Sequence, residues 1–172
     1  MREVKLNLGC GKNIREGWVN VDKFAFQEVD IIHDLNSIPY PFKDESVDHI
    51  LLSHVLEHLN NPPEVLIECH HILKVGGILE VKVPHKNSHT AYSLYHKHRF
   101  VETTLRVLEA KKAFNIVSVN VKRLIPTPFG YIRGFNIFKN YRDSHICIGV
   151  GIKHEIHWIL KKTNSEAEML GV

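Results

Sequence analysis

Four short apolar runs occupy much of the first 54 residues, and each ends on residues suited to touching a ligand. Val4-Lys5-Leu6-Asn7-Leu8 breaks into Gly9-Cys10-Gly11, and Trp18-Val19-Asn20-Val21 ends on Asp22. Val29-Asp30-Ile31-Ile32-His33 ends on Asp34-Leu35, and Val47 to Leu52 ends on Ser53-His54. Short apolar runs bounded by glycines and turn-formers are strands. In an open parallel sheet, ligands bind beyond the C-terminal strand ends, where the strand order reverses. Each cluster alone is a weak signal. Their shared position is what predicts a binding site.

The rest of the chain continues the alternation. Pro62-Pro63 suits a first helical turn, and Val65, Leu66, Cys69, Ile72 and Leu73 form one apolar face. Gly76-Gly77 is expected to stop this helix. Ile78 to Pro84 is a fifth strand, Phe100 to Ala113 a further helix, and Asn115–Val121 and Glu155–Leu160 two late strands. This rhythm predicts a Rossmann-like α/β fold: an open, mostly parallel sheet with helices on both faces. At 172 residues, a single domain spanning 1–172 is expected. Residues 122–154 break the rhythm with Pro126, Pro128 and scattered aromatics, and are expected to form an irregular insertion.

The strand ends offer complementary chemistry. Glycines let a backbone approach a ligand and present its N–H groups. A carboxylate at the end of the second strand can accept both hydroxyls of a ribose. Asp34 can accept from an exocyclic amine, while the next backbone N–H donates to a ring nitrogen. Together these groups describe a nucleoside pocket.

The ordered set Leu6-Asn7-Leu8-Gly9-Cys10-Gly11, Gly17-Trp18-Val19-Asn20-Val21-Asp22, Asp34-Leu35, Phe42 to Asp48 and His54-Val55-Leu56-Glu57-His58-Leu59 resembles the class I S-adenosylmethionine-dependent methyltransferases. The resemblance covers Val4 to Pro84 and fades after about Val121. It implies a seven-stranded sheet with a reversed last strand, S-adenosyl-L-methionine as cofactor, and a methyl acceptor. It implies that Leu8, Gly9, Cys10 and Gly11 form the methionine end of the site, that Asp22 binds the ribose, that Asp34 and Leu35 flank the adenine, and that Ser53 and His54 lie near the sulfonium. His54 and His58 are the candidate catalytic bases. Two departures stand out. Lys12-Asn13 replaces the usual third glycine, and only ten residues separate Gly11 from Asp22. The intervening helix must then be one or two turns at most, and Lys12 or Arg15 can reach the cofactor carboxylate.

The same residues admit competing readings. His54-Val55-Leu56-Glu57-His58 matches the His-x-x-Glu-His of inverted zinc peptidases, in which two imidazoles share a helix face. Asn60-Asn61-Pro62-Pro63 ends any helix at once and no third ligand helix is evident, so no metal is expected. His70-His71 is expected to be a solvated or core-edge pair and not a ligand pair. His85, His89, His96 and His98 follow strand five, in a loop that either closes over the acceptor or lies on the surface. A non-catalytic nucleotide- or partner-binding module is the alternative on the same fold.

The net charge of +3 is too small to argue for nucleic acid. Within 122–154, six cations against Asp143 give +5, leaving −2 for the remainder. With interleaved aromatics the segment suits an acceptor lid, a dimer face or a nucleic-acid clamp. The acceptor-side role is favoured, with a small acidic or phosphate-bearing acceptor. No apolar run reaches membrane-spanning length, and the three separated cysteines suit a reducing, cytoplasmic setting.

Overall fold

The structure, a computed structural model, describes residues 3–127, 130–133 and 152–164. They build one mixed sheet of eight strands in the order β3-β2-β1-β4-β5-β8-β6-β7. The strands are β1 Lys5–Leu8, β2 Val19–Asp22, β3 Ile31–Ile32, β4 Val47–Ser53, β5 Leu73–Pro84, β6 Phe114–Thr127, β7 Gly130–Arg133 and β8 Ile152–Lys162. Strands β1 to β5 pair in parallel. The β5–β8, β6–β8 and β6–β7 pairs are antiparallel. The expected reversed last strand is therefore β8. The expected seven strands become eight because β6 turns back into the short strand β7; β1 to β6 share one direction, and the reversed β7 and β8 make the sheet mixed.

Core packing is concentrated on one face. Leu6, Leu8, Val21, Ile50, Leu52, Leu79, Val81, Ile156, Trp158 and Leu160 belong to a single buried cluster. Val65, Leu66, Cys69 and Ile72 of α1 (Pro62–Ile72) join it, as does Leu108 of α2 (Arg106–Ala110). Both α-helices thus cover the same face, because strand side chains alternate with period two. A second helical layer is not seen among the described residues.

The opposite face is polar. Asn7 and Asn20 face each other across β1 and β2, and Nδ2 of Asn7 donates to Oδ1 of Asn20 at 2.9 Å. Further along, Glu80 is flanked by His157 Nε2 at 2.9 Å, Lys82 Nζ at 2.8 Å and His49 Nε2 at 3.4 Å. His157, then His49, hold the Glu80 carboxyl well below the usual carboxylate range.

The Asn20 network explains the short connection from β1 to β2. Its Oδ1 accepts from Arg15 N at 2.9 Å, its Nδ2 donates to the Arg15 and Trp18 carbonyls, and its own N–H reaches Asp30 Oδ2 at 2.7 Å. One side chain thereby satisfies backbone groups that a helix would otherwise have paired. The connection has turns and no helix. The helix α1 also differs from expectation. It ends at Ile72, and Leu73 continues directly into β5, so Gly76-Gly77 lies inside the strand.

Candidate active site

A cleft of about 360 Å³ opens at the C-terminal ends of β1 to β4. This is where the strand order reverses, with β2 on one side of β1 and β4 on the other. Its lining brings together Gly9, Gly11, Asp22, Asp34, Leu35, His54 and His58 from the expected set. Leu8 and Cys10 are buried behind the glycine turn, and Ser53 ends β4; none of the three is part of the lining. Lys23, Phe24, Phe26, His33, Asn36, Val55 and Leu59 complete the wall. The sequence carried one usable sign of this: Asp22 is followed by Lys-Phe-Ala-Phe, and Phe24 stays 56% exposed beside the cleft.

The glycine turn is fixed by close packing. Gly9 sits at φ +67°, and a Cβ there would lie 2.5 Å from a methyl of Val55. Such contact leaves no room for a side chain. Gly11 donates its N–H to Asp22 Oδ2 at 2.8 Å, and Phe24 N–H donates to Asp22 Oδ1 at 3.0 Å. These bonds orient the carboxylate, and each oxygen keeps a lone pair for a ligand hydroxyl. Asp34 Oδ1 accepts from Asn36 N and Nδ2 at 3.0 and 2.9 Å. The Asn36 backbone bond keeps this exposed carboxyl below its ordinary range. Lys12 and Arg15 do not line the cleft; the Arg15 guanidinium lies over the Trp18 ring at 5.4 Å.

His54 occupies the other end. It has φ +57°, a left-handed backbone rare for a side chain of this size. Its N–H donates to the Lys82 carbonyl at 2.9 Å. Nε2 lies 2.8 Å from Glu155 Oε2, and Nδ1 lies 3.4 Å from Glu57 Oε1. Because β8 runs antiparallel, its first residues meet the C-terminal end of β5, and Glu155 pairs with Pro84. That is how a residue 101 positions away reaches His54. The Glu155 bond, then the nearby Glu57 carboxylate, push the His54 imidazole up to about 9. At neutral pH it is a charged donor. Burial pushes the His96 imidazole down, and with it the neutral form is favoured.

Residues 11–81 match the sequence model of the "Methyltransferase domain" family. No curated protein matches the sequence. Solved structures share the fold at low identity. A SAM-dependent methyltransferase from Archaeoglobus fulgidus aligns with a TM-score of 0.65 at 18% identity, over 93% of this chain and 86% of that one. One from Methanosarcina mazei aligns with a TM-score of 0.62 at 15% identity, over 95% and 94%. One from Thermotoga maritima aligns with a TM-score of 0.60 at 18% identity, over 93% and 82%. The glycine turn, the acidic strand ends, the match over residues 11–81 and the shared fold agree on an S-adenosylmethionine-dependent methyltransferase, with S-adenosyl-L-methionine as its cofactor.

Proposed function

We propose that this enzyme transfers the methyl group to a small acidic or phosphate-bearing acceptor, bound between His54 and residues 122–154. The cofactor would lie along Gly9, Gly11, Asp22, Asp34 and Leu35, with Leu8, Cys10 and Ser53 supporting the turn and strand end from behind. The observation that carries the reading is the net charge of +5 on residues 122–154, which favours an anionic acceptor. His54 lines the cleft, with its two ring nitrogens held by Glu155 and Glu57 at 2.8 and 3.4 Å.

A second observation supports the position of the insertion. β6 runs in the direction of β5 and β8 runs against it, so the stretch between them leaves and re-enters the sheet at the ligand-binding edge. Most of that stretch, including 134–151, lies outside the described residues. Its net charge of +5 suits an anionic partner. Nucleic acid is disfavoured, because the remainder of the chain is net negative.

Methyl transfer from a sulfonium is a direct displacement, in which the acceptor atom must sit in line about 3 Å from the methyl carbon. The sulfonium is already a good leaving group. A base is required only where the acceptor starts protonated, and His58 is then the candidate, since His54 keeps its proton. No helix among the described residues is long and apolar enough to cross a membrane.

The test is incubation with methyl-labelled cofactor and a fractionated small-metabolite extract. Label is expected in an anionic small molecule, with S-adenosylhomocysteine released in equal amount. Cofactor binding with no transfer to any fraction would instead favour a non-catalytic binding module.

A further inference from the structure

The loop after β5 is fastened to the 3₁₀ turn Leu56–His58 by backbone hydrogen bonds. Lys97 and His98 N–H groups donate to the Glu57 carbonyl at 2.8 and 3.3 Å. His58 Nδ1 lies 3.1 Å from the Tyr95 carbonyl, and His98 Nε2 lies 3.0 Å from the Leu59 carbonyl. These bonds bring the His96 ring edge-on to His58, with centroids 4.6 Å apart. One ligand atom each from Glu57, His58 and His96 then falls within 4.8 Å of the others.

Two of these groups are buried without hydrogen-bond partners. Glu57 is 1% exposed, and neither carboxylate oxygen accepts a hydrogen bond from a described residue. Among the described residues its one ion-pair partner is His54, whose Nδ1 is 3.4 Å from Oε1. His96 Nδ1 is likewise buried and unpartnered. A buried carboxylate held this way is costly unless something else engages it. His58 shows the complementary feature. Its Nδ1–H can donate to the Tyr95 carbonyl, which frees Nε2 for a ligand bond, the arrangement that orients metal-binding imidazoles.

We propose that Glu57, His58 and His96 form a binding site for a divalent transition-metal ion, zinc in first place, at the acceptor end of the cleft. Two imidazoles and a carboxylate are a set that holds zinc with one position left open. Ligand atoms around tetrahedral zinc lie roughly 3.4 Å apart, so from a spacing within 4.8 Å the three side chains need close by at most about 1.4 Å. His54 would release Glu57 and keep Glu155 at 2.8 Å. The site differs from the His-x-x-Glu-His reading, in which His54 and His58 are the pair: Glu57 takes the place of His54, and the loop supplies His96. The consequence for catalysis rests on the methyl-transfer reading: a bound ion would hold an anionic acceptor oxygen, and His58 would serve as a ligand instead of a base.

The test uses the untagged full chain, equilibrated with zinc sulfate, desalted and assayed for metal, with affinity measured against a chromophoric chelator. One zinc per chain is expected. His96→Ala and His58→Ala should each weaken zinc binding at least about tenfold. His71→Ala, an exposed histidine elsewhere on the chain, should leave it unchanged. Cobalt in place of zinc should give visible ligand-field bands that change in Glu57→Gln. His96 lies in a loop, so its variant decides the matter even where His58→Ala fails to fold. Wild-type protein that retains no zinc, or His96→Ala with wild-type affinity, would overturn the site. Cofactor binding is read on the same samples. Protein that binds cofactor but not zinc rejects the metal site alone, and protein that binds zinc but transfers no methyl group rejects the functional reading.

Discussion

Asp22 is the proposed ribose ligand of the cleft. Two backbone N–H groups hold its carboxylate, at 2.8 and 3.0 Å, where the glycine turn and the second strand meet. A charged hydrogen bond to a ligand contributes about 1.5–3 kcal/mol. Asp22→Ala should therefore weaken cofactor binding about ten- to a hundredfold, and Asp22→Asn less, because the amide keeps one acceptor. Titration calorimetry on the two variants checks this, and unchanged affinity in Asp22→Ala would place the ribose elsewhere. Asp22 was legible because a strand pattern ended on it. His96 was legible only as one of four histidines in a loop that either closes over the acceptor or lies on the surface, and Glu57 and Glu155 were not legible as partners of His54. Tyr95, which positions His96, is 37 residues from His58, and no local periodicity encodes such a contact.

Among the elements, the α1–β5 junction shows where sequence signals mislead. A glycine pair after an apolar helical face normally marks a helix end. Here the helix stops earlier, and Gly77 is needed for space inside the strand. A Cβ at Gly77 would lie 2.9 Å from the Lys74 carbonyl and 3.0 Å from a Leu73 methyl. Backbone cannot give way as a side chain does, so Gly77→Ala should cost about 1–3 kcal/mol of stability. Urea denaturation of the variant beside the wild type measures that loss, and an unchanged midpoint would refute the packing argument. Strands β1, β2 and β4 and the start of α1 followed from local patterns. β3 shrank to two residues and β7 escaped notice, since edge pairing depends on neighbours and not on the strand's own composition.

At the level of the whole molecule, acid sensitivity follows from a histidine held uncharged in the core. His70 is 4% exposed, packs edge-on to Phe114 with centroids 5.2 Å apart, and faces Lys162, His71 and Glu45. Burial, then the Lys162 and His71 charges, push its imidazole down to about 4. An unfolded histidine titrates near 6.5, so below that pH the unfolded chain takes up a proton that the folded chain refuses. The stability from keeping His70 neutral is present above pH 6.5 and is lost as pH falls from there toward 4. Between pH 7 and 4.5 the wild type should lose about 2–3 kcal/mol more than His70→Leu. Denaturation midpoints at the two pH values check this, and parallel losses in both proteins would show that other groups dominate.

The central claim is that the cleft at the ends of β1 to β4 is the S-adenosylmethionine site. Titration calorimetry of the wild-type chain with S-adenosylhomocysteine tests it most directly, because the product binds the same groups without turnover. The structure predicts one site per chain with micromolar affinity, about −8 kcal/mol, together with a rise in thermal midpoint. No heat and no thermal shift at millimolar ligand would contradict it.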